Sequence, residues 1–241
     1  MDYGLLFAVA GICFAGCFVQ AACGFGFAVV AMGVLGKLLP SFGEASGLAN
    51  LLLLCVCLSI VMRLRGRVRW QVILWPFLSY VPVSFIMVRI VASDPSGIMQ
   101  RLLGLALILL ACYFIFLQGK LRIPIGPVPG LGTGVLSGIL GGLFCMSGVP
   151  MALYMLSLEE KEEYMATIQS FFAMVAVYTA FLHGFSGFFT PTVLKLFLPC
   201  LVLCAAGTLL GKALFERINQ RGMKRLVYSF MLISGVYYAF F

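Results

Sequence analysis

The feature that most limits how this chain can fold is the length of its apolar stretches. Six of them are about 20 residues long, the length that an α-helix needs to cross a bilayer. Of all residues, 63% are hydrophobic and 10% are charged, whereas a soluble domain averages about 45–50% and about 25%. This excludes an ordinary soluble enzyme and predicts an all-α integral membrane protein. The six predicted spans are residues 45–62, 71–92, 98–118, 164–183, 191–212 and 223–240.

Two further apolar runs, residues 4–39 and 126–158, do not fit a single span. At about 1.5 Å per residue, one helix over either run would be ~50 Å long, against a hydrocarbon core of ~30 Å. Glycines interrupt both runs, at Gly24 and Gly26 in the first and at Gly141, Gly142 and Gly148 in the second, where Pro150 follows. We therefore expect each run to form two half-length helices that meet inside the membrane, where protein or a watery cavity satisfies the irregular backbone.

The same order of elements occurs twice along the chain. A broken run followed by three plain spans makes up residues 1–120, and the order repeats over residues 126–241. At a constant offset, Cys23 aligns with Cys145 and Gly26 aligns with Gly148. The sequence therefore predicts two repeats, each composed of a broken or re-entrant helical hairpin and three transmembrane helices.

Basic residues predict how the two repeats face. They are concentrated near 63–69, 120–122 and 212–225, and the positive-inside rule places all three regions in the cytoplasm. Residues 126–158 must then cross the membrane an even number of times, as a re-entrant hairpin or as two short spans. The repeats are therefore inverted, and both termini face outside. Inverted repeats built around broken helices are typical of secondary transporters in the cell membrane, inner or plasma.

The predicted membrane interior contains no carboxylate, and the single histidine, His183, lies at the end of a span. The nine cysteines have neither zinc-site nor disulfide spacing. We therefore predict no catalytic group, no metal site and no cofactor, and we disfavour an enzyme. No basic, aromatic-rich face indicates nucleic acid, so a small solute and the lipid bilayer are the expected partners. The sequence does not indicate an oligomeric state. We interpret the acidic run 159–163 as a solvated helix start.

The two breaks are the best candidates for a binding site. A helix that begins inside the membrane presents free backbone N–H groups and a positive dipole end, which suit an anion. Glycines allow the backbone to approach such a ligand, and glutamine, serine and asparagine side chains can donate hydrogen bonds to it. The predicted substrate-binding residues are Gln20, Cys23, Gly24, Gly26, Asn50, Cys145, Ser147, Gly148 and Gln169.

The sequence around the breaks resembles that of a known family. The stretch from Gly134 to Pro150, with Ala166 and Thr167 after it, is similar to the second glycine-rich motif of the TauE/SafE sulfite and organosulfonate exporters. The stretch from Gly16 to Gly26 resembles the partner motif. This resemblance implies export of a small sulfur-containing or carboxylic anion, and the inverted repeats indicate alternating access. A transporter of another solute, or a membrane protein that transports nothing, are the alternatives.

Overall fold

The computed structural model describes residues 3–93, 98–117, 123–155, 157–158, 160–214 and 220–240. Within these ranges the chain forms helices joined by short turns, and no strand is present. The predicted fold class, an all-α integral membrane protein, is confirmed. The helices are α1 Tyr3–Cys23, α2 Phe27–Leu38, α3 Phe42–Leu64, α4 Trp70–Ala92, α5 Ile98–Leu117, α6 Pro127–Phe144, α7 Gly148–Met155, α8 Lys161–Phe185, α9 Pro191–Leu214 and α10 Gln220–Phe240, with a 3-10 turn at Arg65–Arg67.

Both long apolar runs are broken, the first at Gly24 and Gly26 and the second just before Gly148, whereas Gly141 and Gly142 lie inside α6 and do not interrupt it. The two arms of each run are also unequal. Helix α1 has 21 residues and α6 has 18, whereas α2 has 12 and α7 has 8. At about 1.5 Å per residue, α2 and α7 are only ~18 Å and ~12 Å long. The expectation of two half-length helices is therefore wrong for the first arm of each pair, which is long enough to cross the hydrocarbon core.

Local sequence explains several helix ends. The Ser41 hydroxyl accepts a hydrogen bond from the backbone N–H of Glu44 at 3.1 Å and so caps α3. Helix α6 begins with Pro127, whose fixed φ and missing N–H suit the first helical position. Ser41 therefore sets where α3 begins after α2, and Pro127 sets where α6 begins.

The helices pack in pairs that link the two halves of the chain. Helix α1 packs against α9, α4 against α6, α3 against α8 and α5 against α10. Glycines allow the closest approaches: a methyl group on Gly138 would lie 2.9 Å from Cβ of Val83 on α4, and one on Gly207 would lie 2.5 Å from the carbonyl oxygen of Phe14 on α1. Small residues at helix interfaces serve such packing in membranes.

Helices α3 and α8 form the centre of the molecule. Residues 45–50 of α3 and 166–173 of α8 are buried without interruption, so all sides of these segments are covered by protein. The outer helices instead expose large apolar side chains, for example Leu74 and Leu78 of α4 and Leu198 and Val202 of α9. An apolar outer surface around a closely packed centre is what a helix bundle in lipid requires.

Candidate functional site

The two breaks meet at one small cavity in the apolar interior. Its volume is about 20 Å³, which is room for about one water molecule. No residue that lines the cavity is charged. Five of the residues that the sequence predicted line it together: Gln20, Gly26, Cys145, Ser147 and Gly148.

The first break, residues 24–26, has a backbone that favours glycine. Gly24 and Gly26 have φ values of 83° and 117°, in the left-handed region that side chains make unfavourable. A methyl group on Gly26 would also lie 2.9 Å from Cγ1 of Val19. These two glycines turn the chain from the end of α1 into the start of α2.

Two glutamine side chains satisfy the backbone of the first break. The Oε1 atom of Gln20 accepts a hydrogen bond from the N–H of Phe27, the first residue of α2, at 3.1 Å. The Nε2 atom of Gln169 on α8 donates to the carbonyl oxygen of Gly24 at 3.0 Å. The two side chains also contact each other, with 3.4 Å between Nε2 of Gln20 and Oε1 of Gln169. Gln20 and Gln169 are buried, so the loss of either would leave polar groups without partners.

The second break, residues 145–147, is closed mainly by its own backbone. The N–H groups of Cys145 and Met146 donate to the carbonyl oxygens of Gly141 and Leu140 at 2.9 and 3.1 Å. Cys145 ends α6 with a φ of 59°, in the left-handed conformation that usually favours glycine at a helix end. Its thiol lies 3.5 Å from the carbonyl oxygen of Ser46 on α3 and donates to it.

Ser147 and Gly148 carry the second break into α7. Both residues line the cavity, and Gly148 is the first residue of α7. A methyl group on Gly148 would lie 3.1 Å from Cζ of Phe172. The start of α7 is therefore separated from the aromatic ring of α8 by little more than a van der Waals contact.

Of the other predicted residues, Gly24, Asn50 and Gln169 are not among the residues that line the cavity. Gly24 and Gln169 act through the hydrogen bond that joins them. Asn50 donates from Nδ2 to the carbonyl oxygen of Ala176 at 3.0 Å and so ties α3 to α8. Cys23 is the last residue of α1, and its side chain lies outside the part of the molecule that the structure describes.

Sequence reasoning missed the apolar wall of the cavity. Phe25 from the first break, Leu53 from α3 and Phe172 from α8 complete the lining together with smaller apolar residues. Nothing distinguishes these side chains in a sequence in which apolar residues are the majority. Only the packing of α3 and α8 between the breaks selects them.

The turn between α3 and α4 forms ion pairs with the start of α8, at what we call the arginine side of the molecule. Arg67 lies 3.5 Å from Glu160 and 3.6 Å from Glu162, and Arg69 lies 3.0 Å from Glu163. The backbone N–H of Arg69 also donates to the hydroxyl of Thr167 at 3.0 Å. The acidic run is therefore more than a solvated helix start, because it joins the two halves of the chain.

The bundle of apolar helices, with two helix breaks that meet at a small cavity, defines a multi-pass membrane protein. The sequence profile of the sulfite exporter TauE/SafE family matches residues 8–238, so the chain belongs to that family. This confirms the resemblance of the two glycine-rich motifs, and membership of this family identifies the chain as a membrane transport protein. No curated protein and no solved structure matched the chain.

Proposed function

We propose that the protein exports a small anion, either a sulfur-containing oxyanion or an organosulfonate or carboxylate, by alternating access around the cavity between the breaks. One observation carries the proposal: α2 and α7 both begin at this cavity. The family supports an anion that contains sulfur.

The residues that line the cavity favour an anion, although none of them has a positively charged side chain. Ala28 and Val29 in the first turn of α2, and Gly148 and Val149 in the first turn of α7, line the cavity. The first N–H groups of a helix have no acceptor within that helix, and the dipole adds partial positive charge there. An anion could therefore replace water as the acceptor, with the Ser147 hydroxyl as a further donor.

The small size of the cavity supports alternating access. A volume of about 20 Å³ holds about one water and is too small for a sulfite or sulfonate group. Transport then requires the breaks to separate, first toward one side of the membrane and then toward the other. In this account, the described conformation is closed around the site.

The pairing of helices supports two repeats related by a two-fold axis, and the basic residues favour their inversion. Helix α1 of the first half packs on α9 of the second, and α6 of the second half packs on α4 of the first, as a two-fold relation between the halves requires. We infer that the arginine side faces the cytoplasm and that both termini face outside a cell membrane. Reporters near Gly66 and Asn219 would then both read cytoplasmic, and opposite readings would contradict the inversion.

The driving force follows from the charge of the substrate. An inside-negative potential favours anion export by about 2.3 kcal/mol per charge per 100 mV, and no carboxylate lines the cavity. We therefore expect export without ion cotransport.

The test is flux through the purified protein in liposomes, screened with sulfite, thiosulfate, sulfoacetate, taurine and simple carboxylates. We expect voltage alone to drive one or more of the anions outward. Uphill movement under a pH gradient at zero voltage would show proton coupling instead. Flux of a neutral solute only would favour another transporter on this fold, and no flux of any solute would contradict the proposal.

A further inference from the structure

A second and larger cavity opens at the arginine side of the molecule. Its volume is about 270 Å³, more than ten times that of the cavity between the breaks. It lies among α1, α3, α8 and α9. The residues that line this cavity, which we call the basic vestibule, are Ala21, Ile60, Arg63, Leu64, Lys161, Glu162, Met165 and Lys212.

Positive charge predominates in the basic vestibule. Arg63, Lys161 and Lys212 contribute three cations, and Glu162 contributes one carboxylate. Arg63 and Lys212 also line the neighbouring groove between α3 and α9, which places these two cations at the boundary of both spaces. A small anion in the basic vestibule would therefore lie within reach of more than one positive charge.

Among the described residues, the ion pairs at the arginine side do not include Arg63 or Lys212. The described pairs at the arginine side use Arg67 and Arg69, and Glu162 itself lies 3.6 Å from Arg67. Arg63 is exposed and Lys212 is half-buried, so both remain accessible to a ligand from the water or the lipid surface.

The inner end of the basic vestibule adjoins the first break. Ala21, which lines it, follows directly after Gln20, which lines the inner cavity. Met165 also lines the vestibule, and its sulfur lies 2.9 Å from the place where a methyl group on Gly24 would be. Gly24 in turn accepts the hydrogen bond from Gln169. The first break therefore has Gly26 at the inner cavity and Gly24 against Met165 of the vestibule.

We propose that the basic vestibule is an oxyanion-binding site in which Arg63 and Lys212 hold the charged group. This rests on the proposed function in one respect, since it makes the vestibule the place where the transported anion waits outside the closed inner cavity. The ligand is a sulfonate-type or carboxylate anion from solution, or the phosphate of an anionic lipid, because the same charge-assisted hydrogen bonds would hold either. Basic pockets between helices at the cytoplasmic side are known to bind such headgroups.

The test compares Arg63→Gln and Lys212→Gln with Arg65→Gln. Arg65 is exposed in the same turn, lines neither the vestibule nor the groove, and forms no ion pair within the described ranges. Calorimetric titration of the full chain with sulfoacetate, in a detergent with a neutral headgroup, measures the soluble anion. Thermal stability in phosphatidylcholine bilayers, with and without phosphatidylglycerol, measures the lipid. If Lys212→Gln does not fold, Arg63→Gln alone carries the comparison, and Lys212→Arg, which keeps the charge, should bind sulfoacetate as the wild type does.

We expect each vestibule variant to weaken sulfoacetate binding roughly three- to tenfold, equivalent to about 0.7–1.4 kcal/mol, and Arg65→Gln to leave it unchanged. The difference should shrink as salt is raised from about 0.01 M to about 0.15 M, because screening shortens the reach of exposed charges. Unchanged sulfoacetate binding with loss of stabilisation by phosphatidylglycerol would assign the site to the lipid phosphate. Equal behaviour of all three variants in both measurements would overturn the site.

Failure of the site and failure of the proposed function give different results. If the vestibule variants lose binding while the wild-type protein transports no anion, the site stands and the transport proposal falls. If the wild-type protein transports sulfoacetate and the vestibule variants match Arg65→Gln in binding, lipid stabilisation and the concentration for half-maximal flux, transport stands and the site falls.

Discussion

The two breaks occupy corresponding places in the two halves but are held in different ways. The first break has one backbone bond, from Gly24 to the carbonyl oxygen of Gln20 at 2.8 Å, and is held in addition by the side chains of Gln20, which accepts from Phe27, and Gln169, which reaches across from α8 to Gly24. The second break is closed by backbone bonds from Cys145 and Met146 back into α6. Corresponding positions in the two halves thus reach the same cavity through different interactions.

The difference indicates which break responds to movement between the halves. The hydrogen bond from Gln169 joins the second half to the first break, so a displacement of α8 relative to α1 would disrupt it. The second break is joined to the first half by the Cys145 thiol, which donates to the carbonyl oxygen of Ser46 at 3.5 Å, but its backbone bonds lie within one segment and would move with it. In our account the second break is a preformed end of the site, and the first break changes as the cavity opens.

The largest predicted effect concerns Gly26. Gly26→Ala forces a side chain into a φ of 117° and against Val19, at a cost of about 1–3 kcal/mol. We expect most of the flux and some thermal stability to be lost. Gly148→Ala should cost less, because its φ is not in the left-handed region and the added methyl group would lie no closer than 3.1 Å to Phe172 and 3.4 Å to Phe25.

Gly11→Ala is the matched control for Gly26→Ala. Gly11 lies within α1, and apart from its chain neighbours and the backbone of its own helix no described atom lies within 4 Å of an added methyl group, so flux and stability should be retained. Normal flux and normal stability of Gly26→Ala would show that the first break does not require glycine there. Equal losses in Gly26→Ala and Gly148→Ala would remove the distinction between the breaks.

The next effect concerns the pair of glutamines. Gln169→Met leaves the carbonyl of Gly24 and the amide of Gln20 without this partner in a buried site, at a cost of about 1–3 kcal/mol. We expect a large loss of flux. We also expect the double variant with Gln20→Met to lose less stability than the sum of the losses in the two single variants. Thermal unfolding in detergent and flux in liposomes measure both effects.

Gln100→Met is the comparison for Gln169→Met. Gln100 donates to the carbonyl oxygen of Gly36 at 2.8 Å, away from the breaks, so its loss should reduce stability but not flux. If Gln169→Met and Gln100→Met lower stability equally and neither lowers flux, the glutamine pair is only a packing feature.

The smallest effect concerns the backbone of the second break. At a φ of 59°, glycine should be preferred over alanine, so Cys145→Gly should be more stable than Cys145→Ala by about 1 kcal/mol. In an ordinary helical position the alanine variant would instead be the more stable one, by about the same free energy. Thermal unfolding of the two variants decides between these cases, and a more stable alanine variant would mean that Cys145 is helical.

The sequence predicted the helices and the breaks well because these depend on local patterns. Apolar length defines the spans, and Gly24, Gly26 and Gly148 mark the breaks. It did not predict that Asn50 would bond to Ala176 or that Arg69 would pair with Glu163. Those contacts join residues far apart in the chain, and they depend on how α3 and α8 pack. The unequal arms of the broken runs also required the structure.

Alternating access requires the cavity between the breaks to open to each side of the membrane in turn. Cys145 lines that cavity and is itself a reporter. We propose a variant that keeps only Cys145 among its cysteines, reacted in liposomes with a membrane-impermeant maleimide added to one side or the other. A variant that keeps only Cys200, buried on α9 and absent from the cavity lining, is the control. We expect Cys145 to react from both sides, more slowly with sulfoacetate present, and Cys200 not to react. Reaction of Cys145 from one side only, or from neither, would contradict alternating access at this cavity.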